Sequence, residues 1–316
     1  MPGLSLSRAL PGPAGLMSDL PIIFHWSAPD RDGHRHVARL AGIPVDFPIA
    51  LPELETRPER RSIAAPMWRE TPTAIVQRFS GEGWLHERLR AFRSDFSVDG
   101  QSLSFEAGGA LHLSADGNEV HVLHMPDAIT ARNEFLFGPC LLLAMAARGL
   151  YALHAAAIAG TAGAVLLVGV SGAGKSTLAR LAPSYGLRRL ADDVVPVSSG
   201  HAGFAARPRF PQLKLSPPLC CDDQVLPIAG LVWVEPVSEG IALLPRTPAE
   251  ANRLLLRDTV AARLFGPERL AAHLNFAAAL AAGASCWVLQ VPRVAPSLIG
   301  GVAQQAYALL TREGLL

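Results

Sequence analysis

The apolar and polar positions divide the chain into two differently patterned parts. Up to about residue 135 the apolar residues come in short islands, at 21–26 and 43–48, set among prolines, followed by brief strand-like segments at 73–79, 102–105, 110–113 and 120–123. The last two flank Ser114-Ala115-Asp116-Gly117-Asn118, in which Asp-Gly tolerates the positive φ of a hairpin turn. Residues 53–61 alternate acids and arginines around Pro58 and predict a solvated connection. Gly138-Pro139 predicts a helix that starts with proline in its first turn, runs through 140–147 and stops near Gly149. Beyond it the elements lengthen. Strands are expected at 153–158, 164–168, 188–197, 226–235, 241–244 and 285–291, and helices at 176–181, 249–265, 267–281 and 302–312. Strand, loop, helix and strand in succession define an α/β class with a mixed central sheet. The expected organisation is a leader over 1–20, a smaller β-rich domain over 21–135 and an α/β domain over 136–316. No internal repeat is present.

Composition narrows the picture. With 316 residues, half of them apolar, the chain can bury a sizeable core. A formal net charge of +1 gives no electrostatic reason to expect nucleic acid or an anionic membrane as partner. The longest apolar stretch near the middle, 140–147, is far shorter than the ~20 residues of a membrane span. Cys140, Cys220, Cys221 and Cys286 form no C-x-x-C pair and no disulfide framework, which predicts a cytoplasmic protein. Pro11, Gly12, Pro13 and Gly15 break the apolar content of the first twenty residues, so these predict a flexible leader rather than a signal peptide, with Met17 an alternative start. A homo-oligomer is left open.

His112, His121 and His124 fall on the predicted strands. Alternation puts His121 and His124 on opposite faces, where they cannot serve one ion without a bulge, and the three are read as structural.

The chemistry concentrates at residues 164–177, AVLLVGVSGAGKST. Gly169, four further residues and Gly174-Lys175-Ser176 make the phosphate-loop pattern G-x-x-x-x-G-K-[ST]. Gly169, Gly172 and Gly174 let the backbone turn its N–H groups toward one point, where phosphate oxygens are attracted. Gly169, Ser171, Gly172, Ala173, Gly174, Lys175, Ser176 and Thr177 are the expected nucleotide cradle. Lys175 is suited to the β- and γ-phosphates, and the Ser176 hydroxyl is a hard ligand for Mg²⁺. The chain holds only two lysines, Lys175 and Lys214, against a large excess of arginine, so a chance match is rare.

Downstream, an apolar strand ends in Arg189-Leu190-Ala191-Asp192-Asp193. Neighbouring side chains on a strand point to opposite faces, so one carboxylate can reach the metal while the other takes a proton from an incoming hydroxyl. Upstream, His154 opens the strand that precedes the loop. This combination resembles the HPr kinase/phosphorylase family: a histidine on the strand before the loop, G-x-S-G-x-G-K-S at 169–176, then a strand ending in Ala191-Asp192-Asp193. The resemblance covers roughly 154–197 and implies a P-loop kinase domain that moves the γ-phosphoryl group of ATP to a serine hydroxyl. It further implies Asp192 as catalytic acid-base, Asp193 and Ser176 as magnesium ligands, and His154 as an active-site histidine beside Lys175. The family's downstream Glu-Ile-Arg-Gly-Leu-Gly core is missing, and Arg-Pro-Arg-Phe-Pro-Gln-Leu-Lys-Leu occupies 207–215. Divergent relatives, among them kinases encoded with lasso peptides, look more similar and imply a peptide or protein acceptor bearing Ser or Thr. Arg207, Arg209 and Lys214 have two readings, an anion-holding cluster or a solvated strand edge.

Two alternatives stand beside the kinase: phosphorylation of a small-molecule hydroxyl, and a non-kinase P-loop ATPase or nucleotide-binding module. The chain has no Asn-Lys-x-Asp guanine motif and no Leu-Ser-Gly-Gly-Gln transporter signature.

Overall fold

The computed structural model describes residues 20–26, 35–47, 57–59, 92–106, 108–126, 129–200, 202–208, 210 and 225–316. Two mixed sheets and the helices packed on them make the protein α/β. The first sheet has eight strands: β1 (Ile22–Trp26), β2 (Arg35–Leu40), β3 (Ile43–Phe47), β4 (Arg57–Glu59), β5 (Phe92–Ser97), β6 (Gly100–Phe105), β7 (Ala110–Ser114) and β8 (Glu119–His124). Their order is β4-β2-β3-β1-β8-β7-β6-β5, with β1 parallel to both neighbours and every other pairing antiparallel.

Helices α1 (Ile129–Phe135) and α2 (Leu141–Ala147) lead to the second sheet and are joined by a wide turn over Leu136–Cys140. This corrects the helix start expected at Gly138-Pro139. Proline has no N–H to donate and forces its predecessor out of the helical region, so Gly138, at φ −83° and ψ −107°, kinks a helical stretch already begun at Ile129. The expected stop holds, with Gly149 at φ +76°.

The second sheet contains β9 (Leu150–Ala159), β10 (Ala164–Val168), β11 (Arg188–Gly200), β12 (Gly203–Ala206), β13 (Leu226–Val237), β14 (Ala242–Pro245) and β15 (Cys286–Pro292). Because β13 pairs with β12 and also with β10, the series β10-β9-β11-β12-β13 returns on itself, and β15 and β14 extend from β13. Helix α3 (Lys175–Leu181) follows the glycine-rich loop, α4 (Pro248–Asp258) and α5 (Pro267–Gly283) lie between β14 and β15, and α6 (Ile299–Arg312) closes the chain.

Burial explains the sequence pattern. All five residues of β10 are fully buried because both of its faces are covered. On one side Leu166 and Val168 join Trp233, Leu280 and the aromatic core of the first sheet, including Phe24 and Phe47. On the other, Val165 and Leu167 meet Leu178 and Ala179 of α3 and Ala303 and Tyr307 of α6. A strand covered on both faces reads as a continuous apolar run, whereas β6 and β7 alternate because one face is more open. Each fully buried aliphatic chain contributes about 1.5–3 kcal/mol, so the strand that carries the loop is firmly anchored.

Polar contacts join the two sheets as well. Gln101, on β6, donates to the Leu264 carbonyl at 2.7 Å and accepts from Arg269 Nη1 at 2.6 Å. Arg207 donates to Ser198 Oγ at 2.9 Å and to the Ala41 carbonyl at 3.2 Å. Of the two readings for the basic segment, Arg207 therefore follows neither: it is half-buried between sheets. Arg209 and Lys214 lie outside the described residues, as does the strand expected at 73–79.

Three further differences have local causes. Residues 57–59, expected as solvated connection, pair with β2 at Arg35↔Glu59 and Val37↔Arg57. The helix expected over 249–265 ends at Asp258, where Thr259 turns extended to bridge Leu153 and Ala261 takes φ +62°. β5 and β12 were not foreseen, since neither is rich in the β-branched residues that mark a strand. Among the described residues, no helix is long and apolar enough to cross a membrane.

Candidate functional site

The loop follows β10 directly. Gly169 has φ +132°, and a Cβ there would come 2.8 Å from the Val234 carbonyl oxygen, so both conformation and space require glycine. Gly172 and Gly174, at φ +78° and +102°, face open space, and at these positions the backbone conformation alone favours glycine. Lys175 is only 6% exposed, and its Nζ donates to the carbonyls of Gly169 at 2.7 Å and Val170 at 3.0 Å. The ammonium is thereby tethered across its own loop. Ser171 and Ser176 are exposed, Thr177 is half-buried and Ala173 is buried.

Helix α3 packs on β9 and β11, the strands that carry the other residues of interest. Register pairs Asp192 with Ala156, Asp193 with Ala155, and Val194 with His154, just past an irregularity between Arg189 and Ala191. His154 Nδ1 lies 3.3 Å from Asp193 Oδ1 and 3.2 Å from the Asp193 carbonyl oxygen. Asp193 is 9% exposed and holds φ +146°, a conformation that L-residues avoid. Strain of this kind costs on the order of 1–3 kcal/mol and persists where its surroundings enforce it. Asp192, 6% exposed, takes a separate partner: Arg189 Nη2 donates to its Oδ2 at 2.5 Å. The structure thus brings His154 to Asp193 and gives Asp192 to an arginine. Arg189 carried no expected role, because an i,i+3 contact along a strand requires the irregularity beside it.

A second polar group flanks the loop on β13. Trp233 is the register partner of Val168, the last residue before Gly169. Its indole N–H donates to Asp258 Oδ2 at 3.2 Å, and the Arg246 guanidinium lies 5.4 Å from its ring centroid. Arg246 also donates to Glu235 at 2.7 Å, and Arg257 Nε to Asp258 Oδ1 at 2.7 Å. That hydrogen bond, foremost, holds the Arg257 pKa above its ordinary value. None of these residues was singled out in the sequence. One signal was available: Asp258 is an acid in the last turn of α4, where the helix dipole disfavours it, so a specific partner was needed.

The residues present fit a nucleotide phosphate. Gly172 and Gly174 open onto free space, and a lysine held by two carbonyls can exchange them for phosphate oxygens. Ser176 and Asp193 are hard oxygen donors of the type magnesium takes. Compared with known proteins, the chain matches no protein-family model and no curated protein.

Proposed function

We propose that the protein is an ATP- and magnesium-dependent kinase that transfers the γ-phosphoryl group to a serine or threonine hydroxyl of a peptide or protein. The observation that carries this reading is the juxtaposition of a glycine loop with a tethered lysine and a pair of acids with separate partners on the strands beneath α3. The resemblance of residues 154–197 to the HPr kinase/phosphorylase family supports the same assignment.

In this reading Lys175 leaves the Gly169 and Val170 carbonyls for the β- and γ-phosphates. Ser176 and Asp193 hold magnesium, and His154 fixes the Asp193 carboxylate. Asp192, oriented by Arg189, takes the proton of the acceptor hydroxyl as its oxygen attacks. Mg·ATP supplies the electrophilic γ-phosphorus and a stabilised diphosphate leaving group. Burial of both aspartates keeps them from exchanging freely with water, so each carboxylate is positioned before substrate arrives.

The test is an acceptor screen with γ-labelled ATP, using the purified full chain and a cell extract. Label in a peptide or protein band, alkali-labile as phosphoserine is, supports the proposal. Label confined to small metabolites transfers the assignment to a small-molecule kinase, and release of phosphate without any labelled acceptor points to an ATPase.

A further inference from the structure

The outward face of the eight-stranded sheet carries a row of histidines that has no part in phosphoryl transfer. The parallel pairing of β1 with β8 sets His25 directly beside His121, and the antiparallel pairing of β7 with β8 sets His112 on the other side. The His25 and His121 rings stack, with centroids 4.6 Å apart and planes 12° from parallel. Glu119 is two residues before His121 on the same face, and its Oε2 lies 3.0 Å from His121 Nε2 and 3.9 Å from His25 Nε2. Alternation explains the grouping: Phe24, Val120 and Val122 are buried on the opposite face, so their neighbours must point outward together.

We propose that His25, Glu119 and His121 form a binding site for a divalent transition-metal ion, with zinc the best fit. One ligand atom from each of the three lies within 4.8 Å of the others. Ligands held about 2.0–2.1 Å from a tetrahedral zinc lie roughly 3.3 Å from one another, and the two contacts to Glu119 bracket that spacing. The stacked rings must turn toward one another to aim both lone pairs at one ion, while the backbone of both strands is fixed by the core behind it. Two imidazoles and one carboxylate select zinc, copper, nickel or cobalt over magnesium, which prefers oxygen alone. Glu119 and His121 are partly exposed, so water can reach a fourth position from their side. His112 is held apart by Ser102 Oγ, 2.9 Å from its Nδ1, and His124 stands opposite Ala110, past a register irregularity in the β7–β8 pair, outside the group of three. The register irregularity beside His124 removes the alternation argument that set it apart from His121, and the partner that serves the ion comes from another strand, His25 on β1.

The test is titration of the full chain with zinc alone by calorimetry, beside cobalt(II) absorption spectra. One equivalent of metal is expected in the wild type, with cobalt bands that lack a thiolate charge-transfer component. His25→Gln and His121→Gln should each weaken binding by more than roughly 100-fold, the upper end of what losing a mere supporting residue costs. His124→Gln should bind as wild type does. Both variants at His25 and His121 replace partly exposed side chains, and circular dichroism without metal checks that each folds. Unchanged affinity in these two variants, absence of binding in the wild type, or a thiolate band from bound cobalt overturns the assignment.

Discussion

The loop edge of the seven-stranded sheet and the outward face of the eight-stranded sheet both gather polar residues, but by opposite means. At the loop edge the glycines stand on the turn after β10, Lys175 at the start of α3, Asp192 and Asp193 within β11 and His154 within β9, and the backbone itself is part of the site through Gly169, Gly172, Gly174 and the strained Asp193. On the histidine face the groups stand in mid-strand on regular backbone, and only register brings His25 to His121. A site made of backbone conformation leaves a local signature in sequence. A site made of register leaves almost none.

Substitutions should separate these two kinds of site. The largest effect is expected from Lys175→Ala, which removes the cation tethered to the loop carbonyls. Phosphoryl transfer should fall by about 10³-fold or more, while zinc affinity at the other sheet and the cooperative unfolding transition persist. Normal turnover by a folded variant would break the assignment of the loop.

Asp193→Gly comes next, because it removes a carboxylate and relieves strain together. The magnesium concentration needed for half-maximal activity should rise severalfold. The melting temperature should hold or increase by a few degrees, since glycine accepts φ +146° without the cost aspartate bears. A clear loss of stability would mean that the contact with His154 outweighs the strain. An unchanged magnesium titration would argue against a metal role.

The smallest effect concerns a third kind of histidine. His273 is 1% exposed, its Nε2 lies 2.9 Å from Thr259 Oγ1, and burial lowers its pKa from the ordinary 6.5. The unfolded chain takes up the proton first, so this residue destabilises the fold as pH drops below about 6.5 and has no such effect above it. His273→Gln should flatten the fall in melting temperature between pH 6.5 and pH 5, by about a few degrees. An equally steep fall in the variant would assign the acid sensitivity elsewhere.

The same contrast explains what could be read in advance. The strand at 164–168, the loop, the hairpin turn at Asp116-Gly117 and most elements after residue 150 follow from local patterns, because long buried strands and glycine-dependent turns constrain the residues within them. The helix start was misplaced at Gly138-Pro139 because the same two residues suit a helix start and a bend within one. Arg189, Trp233, Arg246 and Asp258 escaped notice because their contacts depend on a strand irregularity or on elements far apart in sequence. The acid pair was legible as a pair, but its division between Arg189 and His154 was not.

The most direct measurement compares nucleotide affinity with single-turnover transfer in the wild type and in Asp192→Asn. The amide keeps the size of the carboxylate and can still accept the hydrogen bond from Arg189, yet it takes up no proton. Affinity for Mg·ATP should stay within about threefold of wild type while transfer falls ~10²- to 10⁴-fold, the range for losing a positioned base. Equal losses in both quantities would make Asp192 a nucleotide or metal ligand, and near-normal transfer would contradict the kinase mechanism at its centre.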